Sequence, residues 1–333
     1  MASSTPLRVG IVGCGQAARI HLGRLRALPG VELAGVADPS PEAARALLGP
    51  DAAGVPTFAD HRELLRGTSP DAVAIFTPHR AHYRPAMDAL QAGCHVFIEK
   101  PLSTTPQEAA DIVGVARGRS RKVGVGHQYR LSPAFVEARR LLAAGAIGPL
   151  RLVTATLARP WLEEHSGPED SWRLDPKVSG GGILADTGDH LLDTIVWTTG
   201  RAAVEVAALQ ARSAAGLDLV TAAALRLAGG VPATLGLSGV SPGAGGGSLF
   251  ELVYHGEAGR IRATDATLQL LRGPGEEAAV PLPPPGPSID ANFVAAVRGE
   301  AELCCPADAA LDTVALLEAI ARSAASGQVV RLA

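Results

Sequence analysis

The sequence predicts an α/β protein in two parts: a helix-covered parallel sheet over residues 1–127, then an α+β part with a mostly antiparallel sheet over residues 128–333. Three observations lead there. Short β-branched runs alternate with helical segments through the first third, the pattern of strands joined by crossover helices. Later runs alternate apolar and polar residues over strand-like lengths, as half-exposed antiparallel strands do. A chain of 333 residues also exceeds one such unit, at the usual ~150 residues per domain.

In order, residues 7–12 read as a strand, 16–28 as a helix, 31–37 as a strand and 41–48 as a helix capped by Ser40. A weaker strand surrounds 55–58. Residues 72–76 form the fourth strand, 82–92 a helix stopped by Gly93, and 96–98 the fifth strand. Thr105, Pro106 and Glu108 make a capping box that opens the next helix, and 122–125 closes the series. Ser132 and Pro133 open a connecting helix. Strands follow at 150–158, 204–212, 219–227, 233–237, 250–254 and 260–263, with Gly229 and Gly230 as a tight hairpin. Residues 241–248, rich in Gly, and 281–287, rich in Pro, look irregular. Helices at 290–298 and 307–326 finish the chain.

Composition excludes several classes. Hydrophobic residues make up 47% and charged residues 19%, enough apolar surface to bury a core and too little polar tract to stay unfolded. The net charge of -3, with scattered basic residues, offers no surface for neutralising phosphates, so nucleic acid is not an expected partner. No stretch of about 18 apolar residues occurs, and residues 1–6 lack a charged start leading into an apolar run. No membrane partner is therefore expected, and the expected location is cytoplasmic. Cys14, Cys94, Cys304 and Cys305 show no C-x-x-C spacing, so neither zinc nor disulfides are expected.

Chemistry concentrates in three places. Gly13-Cys14-Gly15-Gln16-Ala17-Ala18 lies directly between the first strand and the first helix. Gly13 allows a tight turn, Gly15 lets backbone approach a pyrophosphate, and Ala18 permits close helix packing, while the helix start presents amides to the anion. Asp38 ends the second strand, where a carboxylate can accept both ribose hydroxyls and would repel a 2'-phosphate. NAD is the expected cofactor; Arg45 on the following helix keeps NADP as an alternative.

Glu99-Lys100-Pro101 stands at the carboxyl end of the fifth strand, where ligands sit in open parallel sheets. Near a bound nicotinamide, Lys100 could hydrogen-bond a substrate oxygen; a solvated lysine is the alternative. Residues 180–190 form a glycine run entering a helix. At 100° per residue Asp186, His190, Asp193 and Trp197 share a face, with Leu184, Leu191, Leu192 and Ile195 opposite. Asp186 could then orient His190 as general base. A solvated, salt-bridged histidine and a metal site built from Asp186, His190 and Asp193 are the alternatives.

Taken together, VGIVGCGQAA, Thr77-Pro78 with His82, Glu99-Lys100-Pro101, Trp172-Arg173 with Asp175-Pro176, and Asp186-x-Gly188-x-His190 resemble the glucose-fructose oxidoreductase / inositol dehydrogenase / rhizopine catabolism family over nearly the whole chain. The resemblance implies a Rossmann dinucleotide-binding domain and an open-faced, mostly antiparallel sheet that pairs subunits into a homodimer or homotetramer. It implies Lys100, Asp186 and His190 as catalytic residues. Gly13, Gly15, Gln16, Ala17, Asp38, Thr77, Pro78, His82, Glu99, Lys100 and Gln128 fall on the cofactor side. Tyr129, Trp172 and Arg173 join Lys100, Asp186 and His190 on the substrate side. It also implies a cis Lys100-Pro101 bond. Gln128-Tyr129-Arg130 departs from the Asn or Arg pair common in the family.

The expected activity is hydride transfer between nicotinamide and a secondary hydroxyl or ketone of a sugar, polyol or cyclitol, with no metal. Glu163, Glu164, Glu169 and Asp170 give the segment before Trp172 an acidic density. If that segment meets the substrate, its field favours an aminosugar or aminocyclitol. Two rival readings are a non-catalytic dinucleotide-binding regulator and a metal-dependent hydrolase at Asp186, His190 and Asp193.

Overall fold

Parallel strands buried on both faces read as continuous apolar runs, and such runs make up most of the six-stranded first sheet. The computed structural model describes residues 5–49, 54–167, 171–241, 248–273 and 277–332. Its first elements are β1 (Leu7–Val12), α1 (Gln16–Arg26), β2 (Val31–Ala37), α2 (Pro41–Leu48), β3 (Thr57–Phe58), α3 (His61–Thr68), β4 (Ala72–Ile75), α4 (Tyr83–Gln91), β5 (His95–Ile98), α5 (Pro106–Gly118) and β6 (Val123–Val125). The strands are all parallel, in the order β3-β2-β1-β4-β5-β6. The order reverses between β1 and β4, which opens a crevice at their carboxyl ends. Ser40 and Thr105 cap α2 and α5 as expected, accepting from the amides of Ala43 at 3.2 Å and Glu108 at 3.3 Å. Helix α3, which the sequence reading left out, starts at Asp60, whose carboxylate accepts from the Arg62 amide at 2.7 Å.

The chain continues through α6 (Pro133–Ala143), β7 (Leu150–Ala158), α7 (Trp161–Glu164), α8 (Pro176–Ser179), α9 (Asp189–Thr199), β8 (Ala203–Arg212), β9 (Asp218–Leu227), β10 (Val231–Ser238), β11 (Leu249–Gly256), β12 (Gly259–Thr264), β13 (Leu268–Leu271), β14 (Glu277–Ala279), α10 (Ile289–Val297), α11 (Leu311–Ser326) and β15 (Val330–Arg331). Nine of these strands form one sheet, β14-β13-β12-β11-β7-β10-β9-β8-β15. Every pairing is antiparallel except β7 with β10, which is the mostly antiparallel sheet expected there. Strict alternation buries Ala223, Leu225 and Leu227 on one face of β9 and exposes Ala222, Ala224 and Arg226 on the other. Gly229 and Gly230, with φ of 83° and 78°, turn β9 into β10 within the three-residue loop between the paired Leu227 and Val231.

The chain divides into two compact units: Met1–Gly126 with Pro287–Ala310, and His127–Gly286 with Leu311–Ala333. A single division after residue 127 therefore misplaces one segment. α10 packs on α1, and the strand end at β6 explains why the segment stays there: the Val125 amide donates to the Cys305 carbonyl at 2.9 Å and Gly124 bridges Pro306. Among the described residues no helix is long and apolar enough to cross a membrane.

Candidate functional site

The first group of site residues lies at the carboxyl edge of the parallel sheet. Gly13 has a φ of 89°, and a Cβ there would fall 2.7 Å from the backbone of Phe76 and Thr77, so only glycine lets the β1–α1 turn close on the end of β4. At Gly15 nothing lies within 4 Å of a Cβ position, which leaves its backbone open to a ligand. Gly15 also provides no side-chain cap for α1, so Gln16 and Ala17 stand in a first turn whose amides suit an anion. Asp38 joins two turns: its carboxylate accepts from the amides of Cys14 and Ser40, both at 2.8 Å. A carboxylate has room for further donors, so ribose hydroxyls remain compatible. Burial, with the charge of Asp38, pushes the Cys14 thiol up to about 12, which keeps it neutral.

The hydroxyl of Thr77, shielded from solvent beside this turn, has no hydrogen-bond partner among the described residues. An orphaned donor at the switch point of a doubly wound sheet fits a bound dinucleotide. Pro78 starts a tight turn that leads to His82. The His82 ring is fully buried and lies 2.7 Å from the Pro101 carbonyl and 2.9 Å from the Thr77 carbonyl, so it braces two loops rather than facing outward. Burial drives its pKa down, against the pull of both carbonyls. The Lys100-Pro101 bond is cis. Glu99 Oε2 accepts from the Lys100 amide at 3.1 Å, and Lys100 itself is half-buried.

The second group lies in the other unit and is built around the glycine run. Gly182 is required because a Cβ would collide with the Asp218 carbonyl oxygen. The Asp218 carboxylate clamps the run from below, accepting from the amides of Gly182 and Leu184, both at 2.7 Å. Burial raises the Asp218 carboxyl above its ordinary range, although those two amides pull it down. Residues Leu184–Gly188 then form a single π-helical turn before α9. That turn breaks the 100° step, and Asp189 to Val196 are all buried. The alternative of a solvated helix face with a salt-bridged His190 therefore does not hold, because the helix is interior.

Each polar group on it has specific partners. Asp186 accepts from the Trp161 indole at 2.7 Å and from Arg173 Nε at 3.2 Å, with His165 Nε2 at 3.6 Å. His190 is buried, its ring edge-on to Tyr129 at 5.1 Å and to His127 at 6.2 Å, while Tyr129 stacks on Phe250. Asp193 is gripped by the fork of Arg130 at 2.9 and 2.6 Å, and His127 lies between Asp189 (2.6 Å) and Asp193 (3.2 Å). Burial alone would lower the His127 pKa; the charges of Asp193 and Asp189 outweigh it and raise it. Trp172 stacks under the Arg173 guanidinium at 4.4 Å, and Gln128 is exposed. Among the described residues no group of three or more His, Cys, Asp or Glu could hold a metal, so the metal-hydrolase reading finds no support.

Sequence reasoning missed Trp161, His165, His127, Asp189 and Asp218. His127 and Asp189 each adjoin a residue that was singled out, and that adjacency was their only signal. Glu164 pairs with Arg159 at 2.8 Å; Glu169 and Asp170 lie outside the described residues, as does 242–247 of the glycine-rich segment.

A doubly wound sheet with a glycine turn and an orphaned hydroxyl at its switch point defines a dinucleotide-binding oxidoreductase class. Residues 7–127 match the model of the oxidoreductase family with NAD-binding Rossmann fold, and residues 135–267 match the GFO/IDH/MocA C-terminal domain. The chain belongs to this family, and its first unit is an NAD-binding domain. It is 30% identical over 204 residues to D-glucoside 3-dehydrogenase of Escherichia coli, covering 61% of this chain and 57% of that protein. It is 33% identical over 217 residues to inositol 2-dehydrogenase 4 of Saccharopolyspora erythraea, covering 64% of this chain and 60% of that protein. The aligned stretch thus spans about three-fifths of these relatives. The crystal structure of the WlbA dehydrogenase from Bordetella pertussis with NADH and UDP-GlcNAcA superposes with a TM-score of 0.84 at 25% identity, covering 98% of this chain and 99% of that one.

Proposed function

We propose that this chain is an NAD-dependent oxidoreductase that exchanges a hydride with the secondary carbinol or ketone carbon of a sugar, polyol or cyclitol. One observation carries the reading: the glycine turn, the orphaned Thr77 hydroxyl and Lys100 stand at one edge of one sheet, with His82 tying the Thr77 and Pro101 loops together. The names of the relatives supply the substrate class. NAD, when bound, supplies the hydride acceptor. Gly13, Gly15, Gln16, Ala17 and Asp38 would hold it, with Thr77, Pro78 and Glu99 beside them, while Gln128, exposed in the other unit, is the remaining cofactor-side residue. Lys100 donates a hydrogen bond to the substrate oxygen, His190 takes the hydroxyl proton in oxidation and returns it in reduction, and Asp186 fixes the local frame through Trp161 and Arg173. Tyr129, Trp172 and Arg173 line the substrate side. Arg159 and Arg173 answer the carboxylates of Glu164 and Asp186, so the described residues give no preference for a cationic aminosugar over a neutral sugar. The outward face of β8 and β9, with Ala207, Leu209, Ala222 and Ala224 exposed, is the surface on which a second copy would pair.

The test uses the full chain with NAD and a panel of methyl glucosides, inositols, free sugars and aminosugars, read by the absorbance of reduced nicotinamide. Lys100→Ala and His190→Ala should each lower kcat by about 10²- to 10⁴-fold while NAD affinity stays within about threefold. Full turnover in His190→Ala would overturn the assignment, and NAD binding without turnover of any polyol would overturn the activity.

A further inference from the structure

One buried charged chain in the first unit takes no part in the dinucleotide cradle. His21 lies on the inner face of α1, 4% exposed, stacked on Phe76 at 4.6 Å and tilted against Phe97 at 5.3 Å. Its Nδ1 is 2.6 Å from Asp290 Oδ1 and its Nε2 is 3.1 Å from Glu99 Oε1. Both ring nitrogens face carboxylates, so both must donate and the ring is an imidazolium. Asp290, on α10, is 2% exposed and has Arg24 Nη1 at 3.4 Å from its other oxygen. The second oxygen of Glu99 accepts from the Lys100 amide. Gly126 completes the fit, since a Cβ there would lie 2.6 Å from Glu99 Oε1. The charged groups that face His21 are therefore Asp290 from α10 and Glu99 from the end of β5, with Arg24 of α1 and Lys100 one step beyond.

We propose that His21 and Asp290 are positioning residues for Lys100: Asp290 fixes the His21 ring, His21 fixes one oxygen of the Glu99 carboxylate, and the other oxygen anchors the Lys100 backbone at the sheet edge. This rests on the reading of Lys100 given above. Stability alone does not account for the arrangement, because buried ion pairs are commonly no more stabilising than apolar side chains of the same volume. Its value lies in placement. Without the His21 ring, one oxygen of Glu99 loses its partner, the carboxylate can rotate, and the Lys100 backbone loses a fixed anchor. The segment containing Asp290 thereby becomes part of the catalytic half, although 269 residues separate it from His21.

The experiment compares the full chain with Asp290→Asn, His21→Gln and His21→Leu. Only three lysines occur, Lys100, Lys122 and Lys177, so reductive methylation with carbon-13 gives one resonance for each beside that of the N-terminal amine, assigned by substituting the lysines one at a time. The expected result is that the Lys100 resonance moves in all three variants while those of Lys122 and Lys177 stay in place, with NAD affinity changed by less than about threefold. On whichever glucoside or inositol the parent oxidises, kcat should fall by about tenfold or more in Asp290→Asn with KM little changed, and His21→Gln, which keeps one donor for Glu99, should exceed His21→Leu. An unmoved Lys100 resonance and unaltered kcat in the folded variants would overturn the proposal even if Lys100→Ala abolishes turnover. Full turnover in Lys100→Ala would instead defeat the functional reading. Should Asp290→Asn fail to fold, the two His21 variants decide the matter.

Discussion

Raising the pH should destabilise the first unit through His21, by an amount the structure sets. Burial would push this imidazolium down, but its hydrogen bonds to Asp290 and Glu99 and their charges carry it from the ordinary 6.5 up to about 9. Between those values the native state holds a proton that the unfolded chain has lost. Stability is therefore fully present below pH 6.5 and declines as pH rises through 9. At ~1.4 kcal/mol per pH unit the shift corresponds to roughly 3 kcal/mol. With a urea dependence of about 2–3 kcal/mol per molar, the unfolding midpoint should fall by about 1 M across that window. Asp290→Asn removes the closest carboxylate but keeps a hydrogen-bond acceptor, so its midpoint should vary less with pH. The assay is urea unfolding followed by far-ultraviolet circular dichroism for both proteins at acidic, neutral and alkaline pH. Tryptophan emission would report the wrong unit, because Trp161, Trp172 and Trp197 all lie in the second. Parallel midpoint curves for parent and variant would refute the reasoning, since the remaining titrating groups are common to both.

Two further substitutions probe the second unit. Gly182→Ala places a methyl group against the Asp218 carbonyl, a backbone atom that cannot swing aside, and should cost about 3 kcal/mol or more, seen as a lower midpoint by tryptophan emission; an unchanged midpoint would mean the glycine run is not clamped. Trp161→Phe keeps most of the buried ring and deletes only the 2.7 Å donor to Asp186, so a loss of about 1.5–3 kcal/mol is expected. A loss under about 0.5 kcal/mol would show that Arg173 alone satisfies that carboxylate.

Much of the architecture was legible because its causes are local. The capping residues Ser40 and Thr105, the glycine pair at 229–230 and the β-branched runs act over a few residues, and each element they predict is present within a residue or two of its expected bounds. Helix α3 escaped because its eight residues carry few apolar positions, of which only Leu64 is buried. The parallel pairing of β7 with β10 left no trace, because strand direction depends on how the intervening chain returns. A helical wheel over 186–197 could not show the single π-helical turn at Leu184–Gly188, which offsets Asp186 from the regular helix carrying His190 and Asp193.

For the site, the sequence by itself singled out the residues proposed to carry chemistry: a glycine turn, Asp38 at a strand end, a lysine before a proline, and an Asp and a His entering a helix. These follow from covalent neighbours and short spacing. Only the tertiary structure decided what each one touches. It turned His82 into a brace, directed Asp186 to Trp161 and Arg173, and brought Asp290 to His21 across 269 residues. Hydrogen bonds of that kind are chosen by which surfaces meet when the core closes, and no periodicity along the chain encodes the meeting.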